Sequence, residues 1–103
     1  MNIQKLIYGI SEDELFGDCF DIELDDTSDR KFTVSSKTDI GLFFGSSIVI
    51  SIKLLYLDQV SVKFGDDHGN HMNLVYAAEV FDMGRFVGWL KRSLRDFVWQ
   101  AGD

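Results

Sequence analysis

The chain of 103 residues contains no proline, whereas a chain of this length averages about five. Without proline, tight turns depend on glycine, aspartate and asparagine, which favours short connections between elements. Cysteine is nearly absent as well, since Cys19 is the only one. A single cysteine cannot form an internal disulfide, so we expect a reducing, cytoplasmic environment.

Long apolar runs are also lacking. No run approaches the roughly 18 residues that a membrane-spanning helix requires, because Lys53 interrupts the best candidate. The first ten residues are fairly apolar, but acidic residues follow at once and no small-residue cleavage site does, so we expect no signal peptide. The hydrophobic fraction of 46% and the charged fraction of 26% are those of an ordinary globular chain. The sequence therefore predicts a single domain, residues 1–103, with no membrane partner.

Recognisable catalytic motifs are missing from the sequence. It has no Gly-x-Ser-x-Gly, Walker or dinucleotide-binding fingerprint. Cys19 lies among carboxylates, which disfavour a reactive thiolate. Acid pairs such as Asp21 and Glu23 resemble a general acid and base, but a solvated strand face explains them with fewer assumptions. We therefore expect a protein that is not an enzyme and that needs no cofactor.

The strongest periodic pattern lies between Asp82 and Gln100. Its apolar residues recur at gaps of three and four, the period of an α-helix; they are Met83, Phe86, Val87, Leu90, Leu94, Phe97 and Val98. They share one arc of roughly 120°, the width that a surface helix buries. Asp82 is placed to cap the first turn. The pattern predicts an amphipathic helix over residues 82–100, with Trp89 at the border of the core.

The segments before this helix alternate with a period of two, as strands do. The alternating apolar positions form five groups: Phe20, Ile22 and Leu24; Phe32 and Val34; Ile48 through Tyr56; Val60, Val62 and Phe64; and Met72, Leu74 and Tyr76. Their connections are too short for crossover helices, so successive strands should pair antiparallel. The third group is apolar on both faces, which indicates a central strand. The predicted fold is α+β, an antiparallel β-meander of about five strands with the C-terminal amphipathic helix packed on one face.

Three connecting segments are less regular. Residues 2–10 fit either a short helix or an alternating strand, and both alternatives stay open. Asp58 and Gln59 are predicted to form the tight turn between the third and fourth strands. Residues 37–47 are predicted to hold an isolated helical turn that carries Ile40, Phe43 and Phe44.

Both histidines lie in the loop from Gly65 to His71, which also contains Asp66 and Asp67. His68 and His71 with one aspartate would supply three ligands for a metal ion. The same residue types also form hairpin turns, because glycine and asparagine accept positive φ and aspartate bonds nearby backbone. We favour the turn and predict no metal site.

Charge is distributed unevenly along the chain. From Glu12 to Asp29 there are nine acidic residues and no basic one, within a net charge of −7. Like charges on one segment repel one another, a cost that folding alone does not require. We therefore predict that this segment binds a protein partner with a basic surface, through Asp21, Glu23, Asp25, Asp26 and Asp29. The alternative is that it only aids solubility, or is neutralised by the chain's own basic helix. No direct nucleic-acid binding is expected, because a broad basic footprint is missing.

A second candidate surface lies on the outer side of the predicted helix. Gly84 and Gly88 are one turn apart, and each glycine inside a helix costs about 1 kcal/mol relative to alanine. Arg92, Arg95 and Trp99 continue the same stripe, and arginine and tryptophan are common interface anchors. The stripe predicts a homodimer or partner interface. The alternative is that the two glycines are tolerated without any function, and that the C-terminal end of the helix frays so that Trp99 folds back onto it.

Small acidic domains without catalytic motifs include inhibitors of nucleic-acid enzymes. Phage anti-defence proteins of the anti-CRISPR or anti-restriction type and toxin-neutralising immunity proteins share this size and charge, although no motif links them to this chain. We expect a non-enzymatic protein-binding module of this inhibitor kind. The alternative is a homo-oligomeric structural or adaptor domain that assembles through the outer face of the C-terminal helix.

Overall fold

The computed structural model describes residues 2–37 and 47–101, and the predicted turn with Phe43 and Phe44 lies outside them. In these two described ranges three α-helices and five strands follow one another. They are α1 (Ile3–Ser11), α2 (Glu14–Cys19), β1 (Phe20–Leu24), β2 (Lys31–Ser36), β3 (Ile48–Leu54), β4 (Val60–Asp66), β5 (His71–Tyr76) and α3 (Met83–Ala101). A short 3-10 segment at Tyr56–Asp58 lies between β3 and β4.

The five strands form one antiparallel sheet in the order β1-β2-β3-β4-β5. The predicted α+β meander is confirmed, and β3 is its central strand as expected. The strand register places apolar residues of neighbouring strands side by side on one face. Ile50 on β3 lies opposite Val34 on β2 and opposite Phe64 on β4. Each strand pairs with its neighbour in sequence, because consecutive antiparallel pairing needs no crossover helix.

The two faces of the sheet differ in burial because side chains alternate along each strand. On the core face Phe32, Ile50 and Val62 are buried beneath the helices. The opposite face, called here the open face, carries polar residues such as Thr33 and Ser51. One apolar cluster therefore lies between the sheet and the helical layer.

Helix α3 covers the core face as the periodic pattern predicts. Asp82 caps its first turn by accepting a hydrogen bond from the Arg85 N–H at 2.9 Å. The arc is buried at Phe86, Val87, Leu90, Leu94 and Phe97, while Met83 and Val98 are partly buried against the core. The Phe97 ring stacks on Phe64 with centroids 5.7 Å apart. Trp89 packs against Tyr76 and Phe86 at the border of the core, also as expected.

The open question about residues 2–10 is answered by a helix. The Asn2 side chain accepts a hydrogen bond from the Lys5 N–H at 2.9 Å and caps α1, which buries Leu6 and Ile10. α1 contacts the start of α3, since a Cβ atom on Gly9 would overlap the side chain of Met83. The sequence pattern did not single out this interhelical contact.

Helix α2 was not predicted from the sequence. Asp13 caps it by accepting hydrogen bonds from the Leu15 and Phe16 N–H groups at 3.0 and 3.4 Å. The other carboxylate oxygen of Asp13 accepts from Lys91 Nζ at 3.0 Å. One carboxylate thus starts α2 and also links it to α3.

The predicted turn at Asp58 and Gln59 is wrong by one residue. The chain reverses at Leu57 and Asp58, whose φ angles are 59° and 57°, and the Gln59 N–H donates to the Tyr56 carbonyl at 3.3 Å. Strand β3 accordingly ends at Leu54, so Tyr56 is not part of it. Two positive φ values at the central residues are those of a type I′ turn, whose twist matches that of the paired strands.

Candidate functional site

The candidate site begins with the acidic residues of the β1–β2 hairpin. Asp21 and Glu23 lie on the open face of the edge strand β1, and Asp26 and Asp29 lie in the turn that follows. All four are exposed. None of their carboxylates forms a hydrogen bond or ion pair with another of the described residues. These four residues are called the acidic hairpin below.

Asp25 differs from the other acidic residues of the hairpin because its carboxylate has local hydrogen-bond donors. Its carboxylate accepts hydrogen bonds from the Thr27 hydroxyl at 2.6 Å and from the Thr27 N–H at 2.8 Å. These hydrogen bonds hold the pKa of Asp25 below its ordinary value, and the one from the Thr27 hydroxyl contributes most. Asp25 therefore organises the turn, and its partner-binding role stays a prediction.

The basic residues of α3 do not neutralise the acidic hairpin. Lys91 pairs with Asp13 instead, on the helical side of the molecule. Across the sheet, Asp21 lies opposite Ser35 and Glu23 lies opposite Thr33, so no cation faces them directly from β2. Within residues 2–37 and 47–101, Arg85, Arg92 and Arg95 form no ion pair. The acidic hairpin is thus left open to solvent.

An apolar projection lies at the same end of the sheet as the acidic turn. Tyr56 and Leu57, called here the tip, are 84% and 90% exposed. Arg30 joins the two turns, because its Nε donates to the Leu54 carbonyl at 3.0 Å and its Nη2 to the Leu55 carbonyl at 3.1 Å. Its guanidinium carbon also lies 5.3 Å from the centre of the Tyr56 ring. Acidic and apolar groups therefore share one end of the sheet.

The open face carries a cluster of three lysines that are not close together in the sequence. Lys31 on β2 lies directly opposite Lys53 on β3. Lys63 on β4 lies opposite Ser51, which is two residues from Lys53 along β3. With Thr33, Ser51 and Ser61 they line a concavity of about 270 Å³. The lysines are far apart in the sequence, so only the strand register brings them together.

The histidine loop forms the predicted turn. The Asp66 carboxylate accepts from the N–H groups of His68 and Asn70, each at 2.9 Å, and from Asn70 Nδ2 at 2.9 Å. Gly69 has a φ of 86°, the left-handed conformation that glycine adopts freely. Across the part of the chain that the structure describes, no three His, Cys, Asp or Glu side chains are grouped so as to hold a metal ion.

The glycine stripe lies on the outer side of α3, as predicted. Gly84 and Trp99 are exposed, Trp99 by 75%, and Gly88 is half-buried. Apart from adjacent residues and the helix's own backbone, the atoms within 4 Å of an added Cβ would be Asp82 Oδ1 at Gly84 and Arg92 Nη1 at Gly88, so no other described element covers either glycine. Arg92 and Arg95 are also exposed. The sheet separates this stripe from Asp21 and Glu23, so the predicted residues form two separate surfaces.

Comparisons with family models, curated proteins and solved structures found no match to this chain. None of the helices formed by the described residues is long and apolar enough to cross a membrane. The functional argument therefore depends on the geometry and charge of the chain itself.

Proposed function

We propose that this chain is a non-enzymatic protein-binding module of the cytoplasm that occupies a basic surface of its partner. The single observation that carries the proposal is the acidic hairpin, whose four carboxylates are exposed and form no ion pair with the described residues. Like charges held together in the free protein repel one another. A cationic partner would convert this repulsion into attraction, which raises the association rate and favours one orientation.

The partner class follows from the chemistry of the basic surface. Proteins that handle nucleic acids present lysine and arginine to phosphate groups, so their binding surfaces are broadly cationic. A rigid acidic domain that covers such a surface would exclude the nucleic acid by competition. The proposed role is therefore that of an inhibitor, of the phage anti-defence, anti-CRISPR-like or immunity type.

The test compares two variants that each remove four negative charges while keeping the side-chain shapes. The first is Asp21→Asn, Glu23→Gln, Asp26→Asn, Asp29→Asn; the matched control is Glu12→Gln, Asp18→Asn, Glu79→Gln, Asp96→Asn. Asp25 is left intact because it holds the turn. The partner is captured from the native host, identified by the mass of the intact complex, and titrated against each variant by calorimetry.

We expect the hairpin variant to lose at least about tenfold in affinity, whereas the control should stay within about threefold, because close charge pairs contribute more than general charge. The melting temperature of the hairpin variant should be equal to or higher than that of the wild type, since self-repulsion is removed. Equal affinity of the two variants for the partner would contradict the proposal.

A second candidate function is a homo-oligomeric adaptor that assembles through the outer face of α3. The exposed Trp99 ring and the uncovered Gly84 and Gly88 favour it. A tryptophan beside a close backbone approach would be a suitable anchor between two copies. The two candidates differ in their response to salt, which is developed in the Discussion.

A further inference from the structure

The tip is the most exposed apolar feature of the described chain. Leu57 and Tyr56 are 90% and 84% exposed, so their side chains add almost nothing to the core. Isolated surface apolar residues are common and need no explanation. Here two large ones are adjacent, at the point where the β3–β4 hairpin projects farthest.

The residue at the turn is also not the one that the backbone favours. Leu57 has φ 59° and ψ 38°, and a type I′ turn strongly prefers asparagine or glycine at this position. Leucine there is disfavoured by the backbone and gains no burial in return. The folded chain alone therefore gives no reason for a leucine.

The tip is held firmly despite its exposure. The Leu55 N–H donates to the Gln59 carbonyl at 2.8 Å, which closes the hairpin below the tip. Arg30 donates to the carbonyls of Leu54 and Leu55, and its guanidinium packs on the Tyr56 ring. An apolar group that is ordered before binding loses little conformational entropy when it is buried.

The charges beside the tip indicate what kind of surface would accept it. Asp26 and Asp29 of the acidic hairpin are exposed in the neighbouring turn, which Arg30 connects to the tip. Interfaces commonly bury a central aromatic or aliphatic anchor and surround it with a polar rim. A second copy of this chain is a poor occupant, because each copy carries a net charge of −7.

We infer that Tyr56 and Leu57 form an anchor that enters an apolar pocket of the partner protein, and that lysine or arginine residues at the pocket edge meet Asp26 and Asp29. This inference rests on the proposed function and assigns its central contact. The acidic hairpin orients the approach of the partner, and the tip slows its dissociation.

The test is Leu57→Asn, which places a residue favoured by the turn at the tip. We expect its melting temperature to rise by a few degrees while its affinity for the captured partner falls at least about tenfold. The second variant is Tyr56→Ser, which should weaken binding in the same direction. The control is Tyr8→Gln, which removes another exposed aromatic ring, on α1, and should change affinity by less than about threefold.

Unchanged affinity of Leu57→Asn would overturn the inference, and so would a lower melting temperature, because the tip would then stabilise the fold. If the charge variant of the acidic hairpin loses affinity and Leu57→Asn does not, the anchor fails and the proposed function stands. If neither variant loses affinity, both fail. The intact mass also shows whether the chain is a dimer. If Leu57→Asn converts a dimer to a monomer, the tip binds a second copy of the chain and the inference is overturned.

Discussion

At the scale of single residues, carboxylates of the same type have different roles in this protein. Asp66 accepts three hydrogen bonds and closes the β4–β5 turn, whereas Asp26 bonds to none of the described residues. The hydrogen bond from the Asn70 side chain is the largest cause that lowers the pKa of Asp66. Local sequence predicted the chemistry of this turn, because the donors lie within four residues of Asp66.

The lowered pKa of Asp66 predicts how stability depends on pH. A carboxylate whose pKa is lower in the folded state stabilises the fold above its unfolded pKa of about 3.9, and this stabilisation is lost as pH falls through the folded pKa. The stability difference between wild type and Asp66→Asn should thus be constant from about pH 7 to 5 and shrink below about pH 4. Urea unfolding across this range measures it, with Asp26→Asn as the control. A difference that stays constant down to pH 2 would contradict the prediction.

Two details at single residues could not be predicted from the sequence. The acidic pattern does not show that the Asp25 carboxylate accepts hydrogen bonds from Thr27, and its partner-binding role stays a prediction. The β3–β4 turn was predicted at Asp58 and Gln59 because aspartate is a common turn residue. The register of β3 on β4 overrides that local preference and places Leu57 in the turn.

At the scale of elements, regular periodicity decided what could be predicted. Helix α3 and all five strands were recoverable because each buries one side, so its apolar residues follow a clear period. Helix α2 has only six residues and too few apolar positions to show a period. Helix α1 fitted two periods equally, and its contact with α3, between Gly9 and Met83, joins distant parts of the chain.

The pairing of β2 with β3 predicts a stabilising substitution. Lys31 and Lys53 are directly opposite, and like charges in that arrangement destabilise a sheet. Lys53→Glu should raise the free energy of unfolding by roughly 0.5–1 kcal/mol, because repulsion becomes attraction. Lys63→Glu is the matched control, since Lys63 lies opposite Ser51 and Asn73. Urea denaturation of both variants measures the difference, and equal changes would show that only net charge matters.

At the scale of the whole molecule, charge is segregated between faces and ends. The acidic hairpin lies along one edge of the sheet, the three lysines lie in the middle of the open face, and Arg85, Arg92 and Arg95 lie on α3. Counting charges along the chain predicted the acidic segment and the basic helix, because each is continuous in sequence. It missed the lysines, which come from three strands and only the sheet brings together.

This layout predicts the response of the two candidate assemblies to salt. Raising the salt concentration from about 0.15 M to about 0.5 M shortens the screening length below about 8 Å. A complex formed through the acidic hairpin should weaken by about tenfold or more in calorimetry. A dimer formed through Trp99 and the helix glycines should persist in sedimentation experiments, and Gly88→Arg should disrupt it. A partner complex that is insensitive to salt would contradict the charge-based function.

The order of the strands in the sheet also bears on synthesis. Each strand pairs with the one translated just before it, so the sheet is completed in the sequence in which a ribosome delivers it. The cover of the sheet is completed later, because Phe86, Leu90 and Phe97 belong to α3, which follows all five strands. A message truncated between β5 and α3 would yield a product in which the apolar residues that α3 covers are bare. Such a product is a substrate for chaperones and proteases rather than a shorter working protein.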